Sequence, residues 1–380
     1  MAATGSEVEP FEVAISEEVL DDLRQRLART RWPDQPEDLG WDYGADFAYL
    51  RELCEYWRSD YDWRQIERAL NGLSNWRWHG LHFIWERAPR PERGGGPDRL
   101  PVCLIHGWPG GPVEFLELIP LLIAAGHDVI VPSLPGFAFS DAPPSPLNID
   151  AIADRFRALI GDALGYERYA VQGGDWGALI GARMAFDDPD RVAALHLNAT
   201  SVLPLPGDLS DSPLSDAEQA WVAEARHWRT REGFHMLVQA GAPDAFSPGL
   251  NDSPIGLAAW LLDKYRRWSD CDGEVERRFS KDDLCDFVTL YWATGTIASS
   301  MRLYAAEARD LWRLQPGERI AVPAAVADFP AELLRPPRAW TERQLSDLRR
   351  WSEFDRGGHF AAFEEPELLA EDVIGFLAEL

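Results

Sequence analysis

The feature that most restricts the fold is an apolar run that breaks into a glycine turn and resumes as an apolar helix. Tyr169-Ala170-Val171-Gln172 reads as a strand, Gly173-Gly174-Asp175-Trp176-Gly177 as a tight turn, and Ala178 to Phe186 as a buried helix. Small residues on both sides of such a turn let strand and helix approach closely, and the residue at its apex is held out on a strained backbone. Here that residue is Asp175. A carboxylate at a helix N-terminus is kept ionised by the helix dipole and by nearby N–H groups, so it can attack an electrophilic carbon. An aspartate that merely caps the helix is the bland alternative.

Around this segment, short apolar runs alternate with helical stretches, which argues for a mostly parallel sheet covered on both faces. The expected strands are Val102 to His106, Asp128 to Val131, Tyr169 to Gln172, Val192 to Asn198, Ile320 to Ala327 and Leu348 to Phe354, with Leu81 to Trp85 as an earlier one. The rhythm fails between Thr200 and Gly317, where helical patterns occur without a convincing strand. An inserted helical lid over 201–317 explains this, leaving 91–200 and 318–380 as the core. Residues 1–90 read as a helical arm leading into the first strands. In it, Ser16 caps a helix carrying Val19, Leu20, Leu23 and Leu27 and ending at Pro33, and a second helical stretch follows in DFAYLRELCEYWRSDYDWRQIERALN. The Pro- and Gly-rich tract from Pro89 to Pro101 reads as a loop.

Composition narrows the partners. With 63 acidic against 37 basic residues among 380, the formal charge of −26 repels nucleic acid and anionic membrane surfaces. The same charge is accounted for by solubility alone, so it carries no inference about the substrate. Cys54, Cys103, Cys271 and Cys285 show neither metal-ligand nor disulfide spacing, which leads us to expect a cytoplasmic protein with no metal. We find no leader and no apolar window of about 18 residues that would span a membrane.

Three further segments carry chemistry. His106-Gly107-Trp108-Pro109-Gly110-Gly111 follows the strand VCLI, where a backbone oxyanion-hole donor belongs, and the amides of Trp108 and Trp176 are the natural pair. The His106 ring is expected to position the turn and not to act as a base. Of the 8 histidines, only His359, in Arg356-Gly357-Gly358-His359-Phe360, follows the final strand, the place of the general base when the order is nucleophile, acid, histidine. The acid should lie just past IAVPAAVA, where Asp328 and Glu332 both stand, and fold geometry alone slightly favours Asp328. Taken together the segments define an α/β-hydrolase fold.

From about Pro10 onward the chain resembles the microsomal-type epoxide hydrolases, including their N-terminal helical module. The resemblance rests on LARTRWPD, DWRQIERALN, HGWPGG, GGDWG, LNDSPIGLAAW, TLYWATGTIASS, FPAELL and RGGHFAAFEEPELLA, in that order. It implies Asp175 as nucleophile, His359 as base and Glu332, not Asp328, as acid. It also implies lid tyrosines that hydrogen-bond the epoxide oxygen. Tyr304 fits one of them. The other is expected in Glu232-Gly233-Phe234-His235, where Phe234 cannot donate, leaving Tyr304 alone or neighbouring His235 in support. Trp108, Phe234 and His235 are then expected to line the substrate pocket.

The implied reaction converts an epoxide and water to a vicinal diol through an alkyl ester on Asp175, without a cofactor. The expected partners are a small hydrophobic epoxide and water, and the reading admits a homodimer. A haloalkane dehalogenase with the same nucleophile and a catalytically silent binding protein of this fold are the rivals. The absence of serine from the elbow argues against an esterase.

Overall fold

The structure is a computed structural model and describes residues 8–36, 39–90, 99–205 and 212–380. Its first helix, Glu17–Ala28, starts where the Ser16 side chain accepts a hydrogen bond from the Val19 N–H, and it buries Leu20, Leu23 and Leu27. The second expected helical stretch is two helices, Phe47–Ser59 and Arg64–Asn71. The break falls at Asp62, whose carboxylate takes the Arg64 N–H at 3.0 Å and so competes locally with helix continuation.

Nine strands form one sheet: β1 Glu9–Pro10, β2 Asn75–Trp78, β3 Leu81–Glu86, β4 Val102–Ile105, β5 Val129–Pro132, β6 Tyr169–Gly173, β7 Val192–Leu197, β8 Ala324–Asp328 and β9 Leu348–Glu353. Their spatial order is β1-β2-β3-β5-β4-β6-β7-β8-β9. Strands β1, β2, β3 and β5 pair antiparallel in turn, and every pairing from β5 through β9 is parallel. β4 and β5 are buried along their whole length, as strands with both faces covered must be. The N-terminal region therefore supplies strands as well as helices. β1 and β2 escape the sequence pattern because one is only two residues long and the other, NWRW, alternates large aromatics with polar groups. β8 begins later than expected, and Ile320 contributes only an isolated bridge to Leu345. Residues 91–98 of the expected loop lie outside the described residues.

Between β7 and β8 the chain forms helices, chiefly Asp216–Arg231, Phe234–Gly241, Pro254–Trp268, Lys281–Thr294 and Ile297–Arg309, with no strand among the described residues. The last two come from one continuous sequence pattern. Gly295, at φ +65°, ends the first of them in the left-handed region. The N-terminal helices brace this insertion: Trp57 Nε1 donates to Thr289 Oγ1 at 2.9 Å, and the Tyr56 hydroxyl donates to Asp282 at 2.9 Å. One hydrophobic core runs through sheet, N-terminal helices and inserted helices. Among the described residues no helix is long and apolar enough to cross a membrane.

Candidate active site

β6 delivers Asp175 to the C-terminal edge of the sheet, at the start of the helix Asp175–Asp187 and with φ at +50°. Such a conformation is costly for a residue with a side chain and is held here by packing on both sides. A Cβ on Gly177 would stand 1.9 Å from the Ile105 carbonyl of β4, so no larger residue fits. A Cβ on Gly107 would likewise strike the Asp175 carboxylate, which lets the loop after β4 close over it. That closure brings the Trp108 N–H to Asp175 Oδ1 at 2.8 Å. Burial by itself would raise the Asp175 pKa. His359 and the backbone N–H groups of Trp108 and Trp176 outweigh it and hold the carboxyl below its ordinary value.

His359 lies in the loop after β9, where its backbone N–H donates to the Trp268 carbonyl at 2.9 Å. Its Nε2 is 3.7 Å from Asp175 Oδ2, and its Nδ1 is 2.9 and 3.0 Å from the two Glu332 oxygens. A bridge between Ala331 and Gly358 sets the two loops side by side, and Glu332 is fixed further by the Leu333 N–H at 2.9 Å. Asp328, at the end of β8, is instead occupied by Arg335 through two 2.7 Å hydrogen bonds. Spacing alone leans to Asp328, whereas the carboxylate beside His359 is that of Glu332. Burial opposes a charge on His359, but Glu332 and Asp175 raise its pKa well above the ordinary histidine value. The His359 ring thus lies between two carboxylates that both favour its protonated form.

The His106 ring has both nitrogens engaged, Nδ1 with the Gly107 carbonyl at 3.0 Å and Nε2 accepting from the Leu134 N–H at 3.1 Å. Burial lowers its pKa to about 4, so it is a neutral brace for the turn.

Above Asp175 lies a cavity of about 740 Å³ whose lining includes His359, Glu332, Tyr304 and His235, together with Trp176, Trp221, Trp228, Trp268, Trp312 and Trp340. Tyr304 stands edge-on to both Trp176 and Trp108, at 4.7 and 5.9 Å between ring centroids. Trp108 is also stacked on His235, at 5.7 Å and 9° between planes, and the His235 ring lies 6.1 Å from that of Tyr304. Trp108, expected in the pocket lining, touches these rings without lining the cavity, and the expectation for Phe234 fails as well. Its ring does not line the cavity: it is 44% exposed, packs edge-on to Trp260 and sits beneath the Lys264 ammonium at 4.4 Å. Within the helix Phe234–Gly241, the buried positions are His235 and Gln239, one turn apart, and Phe234 faces away from them. The histidine faces the site, and its spacing to Gln239 is the signal that a reading by residue type passes over.

Fold, elbow and cavity define an α/β hydrolase, and residues 101–232 match the family model described as alpha/beta hydrolase fold. Residues 8–115 match the model described as epoxide hydrolase N terminus. Epoxide hydrolase 1 of Sus scrofa is 36% identical, with 100% of this chain and 90% of the pig protein covered. The crystal structure of juvenile hormone epoxide hydrolase from Bombyx mori superposes with a TM-score of 0.88 at 33% identity, covering 99% of this chain and 95% of that one. For the Aspergillus niger epoxide hydrolase structure the TM-score is 0.84 at 29% identity, covering 99% and 97%. The chain belongs to the epoxide hydrolase family, hydrolases that act on ether bonds.

Proposed function

We propose that this enzyme opens a hydrophobic epoxide through Asp175 and releases it as a vicinal diol. The observation that carries the reading is the ionised Asp175, on the floor of an aromatic cavity and 3.7 Å from the His359 ring. Asp175 attacks a ring carbon, the C–O bond breaks, and the oxygen takes a proton from Tyr304. His235 is the second donor. Burial and the nearby Lys264 lower its pKa to about 4, so it is neutral and carries an N–H to donate. The helices between β7 and β8, which bear both groups, act as the lid.

The ester then changes the electrostatics. Esterification removes the Asp175 charge, one of the two that favour a proton on His359, so His359 gives its proton back to the phenolate left at Tyr304 and the neutral imidazole is able to act as a base. It takes a proton from water through Nε2 while Glu332 holds Nδ1. The water oxygen bonds to the Asp175 carboxyl carbon, and the backbone N–H groups of Trp108 and Trp176 stabilise the oxyanion. One original Asp175 oxygen leaves in the diol. Single-turnover reaction in ¹⁸O-water is expected to place label in Asp175; label appearing first in the diol would sink the covalent route.

Six tryptophans around the cavity favour a large aryl-bearing epoxide. Comparison of styrene oxide, aliphatic and polycyclic epoxides is expected to give the highest kcat/KM with the aryl compounds, and preference for a short aliphatic epoxide would overturn that choice. The four cysteines are buried and free, which fits a reducing cytoplasm.

A further inference from the structure

The large cavity changes character along its length. Its floor holds Asp175, His359, Tyr304 and His235, the last two buried. Its lining also includes Leu205 and Leu311, 41% and 49% exposed, which mark where it opens to solvent. Tyr304, Ala308 and Leu311 line it at helical spacing, so one face of the helix Ile297–Arg309 and its extension runs from floor to mouth. At about 1.5 Å of rise per residue, the mouth lies on the order of 10 Å from Tyr304.

Three guanidiniums stand at that mouth. Arg226 and Arg229 come from the helix Asp216–Arg231 and Arg313 from the segment after Ile297–Arg309, and all three are exposed residues of the cavity lining. None of the three guanidiniums has an ion pair or hydrogen bond with a described residue. The chain has 63 acidic against 37 basic residues, and elsewhere even half-exposed arginines find a carboxylate, Arg277 with Asp272 at 2.6 Å and Arg349 with Asp347 at 2.8 Å. Arg226 and Arg229 are moreover three residues apart on one helix, where like charges repel. The one acid at helical spacing from either, Glu232, is held by Arg267 at 2.8 Å. The carboxylates of the cavity are committed too. Asp175 and Glu332 flank His359, and Glu307 accepts the Ile149 and Trp312 N–H groups at 3.1 and 3.2 Å.

We propose that the cavity mouth is an anion subsite and that the substrates are amphiphilic epoxides carrying a carboxylate at the end remote from the epoxide. The apolar body lies against the tryptophans, the epoxide reaches Asp175, and the carboxylate meets Arg226, Arg229 and Arg313. A guanidinium fork matches a carboxylate through two parallel hydrogen bonds and keeps its charge at every working pH. This inference names the substrate class for the reaction proposed above and rests on that reading.

The test compares styrene oxide carrying a para-carboxypropyl chain with its methyl ester and its trimethylammonium analogue. The quantity read is the ratio of their kcat/KM within each enzyme, which a partly unfolded variant does not bias. Exposed charge pairs are individually weak, so the three arginines together are expected to favour the acid over the ester by about tenfold in the wild type, chiefly through KM, with the preference shrinking as salt is raised. Arg226→Gln/Arg229→Gln and Arg313→Gln should each reduce that ratio severalfold, and Arg226→Glu/Arg229→Glu should favour the ammonium compound. Equal kcat/KM for acid and ester in the wild type at low salt, or a preference that survives in every variant, overturns the subsite. Failure of the underlying reaction shows differently: diol released with no Asp175 adduct in rapidly quenched samples, read by intact-protein mass, overturns the ester mechanism whatever the ratio.

Discussion

The strand-end loops and the inserted helices supply side chains to the same cavity by different physical means. Asp175, Glu332 and His359 stand just past strand ends fixed by neighbouring parallel strands, and each is held further by a hydrogen bond to backbone: the N–H of Trp108 on Asp175, the N–H of Leu333 on Glu332 and the carbonyl of Trp268 on the His359 N–H. Tyr304 and His235 are presented by helices that reach the site through aromatic packing, with Trp108 touching both rings. A strand-end site is therefore set by chain order. A helix-borne site is set by which face turns inward, and a shift of one residue moves a side chain by about 100°.

Substitutions on the two sides should differ in size and in the step they affect. Asp175→Ala is expected to lower kcat by about 10⁴-fold or more, with no ester detectable by mass. Glu332→Gln should cost about 10³-fold, since His359 loses both an orienting partner and a charge, while Asp328→Asn, which breaks only a partly exposed ion pair with Arg335, should stay within about twofold. Equal losses in the Glu332 and Asp328 variants would break the assignment of the acid. On the helical side, Tyr304→Phe should slow alkylation about a hundredfold and His235→Phe about tenfold, with ester hydrolysis unchanged in both. His235→Tyr should restore alkylation and Phe234→Tyr should alter nothing, because Phe234 lies outside the cavity. A gain in Phe234→Tyr would show that position 234 reaches the substrate.

The smallest effect concerns stability. Glu114 has a folded pKa of about 8 against an ordinary value of 4.5, so between those values the folded chain holds more protons than the unfolded one. Its contribution to stability is greatest below pH 4.5 and is lost as the pH rises towards 8. Glu114→Gln should flatten that slope by on the order of a few kcal/mol, read from urea midpoints at pH 5 and pH 8. Glu364 and Asp286, both pushed up to about 7 by burial, keep part of the slope in the variant. A slope unchanged by the substitution would mean that Glu114 is already ionised in the folded state.

The same contrast explains what could be read from the residues alone. The elbow and His359 carry local signals, because a strained turn and close strand–helix contact demand glycine in a fixed pattern and the fold fixes the order of its loops. The acid carries none: Asp328 ends β8 and Glu332 stands four residues further on, and only the fold-back that pairs Ala331 with Gly358 decides which carboxylate reaches the histidine. At 234 and 235 the expectation followed residue type and put both side chains in the pocket, whereas the helix turns the imidazole inward and the phenyl ring out. A small cavity of about 30 Å³ beside Asp175 is assembled from segments more than two hundred residues apart, from Ile105 to Ala362, so no window of sequence contains it.

The size of that cavity bears on which nucleophiles the enzyme will use. An ester on Asp175 is open in principle to alcohols, thiols and amines as well as to water, and many are better nucleophiles. A space of about 30 Å³ beside Asp175 and His359, lined also by Gln172, Glu114 and Ala362, filters them by volume before reactivity counts. An enzyme built this way remains a hydrolase in water–ethanol mixtures, and enlarging the Ala362 side of the wall is not needed for speed but is where a designer would begin to turn hydrolysis into alcoholysis.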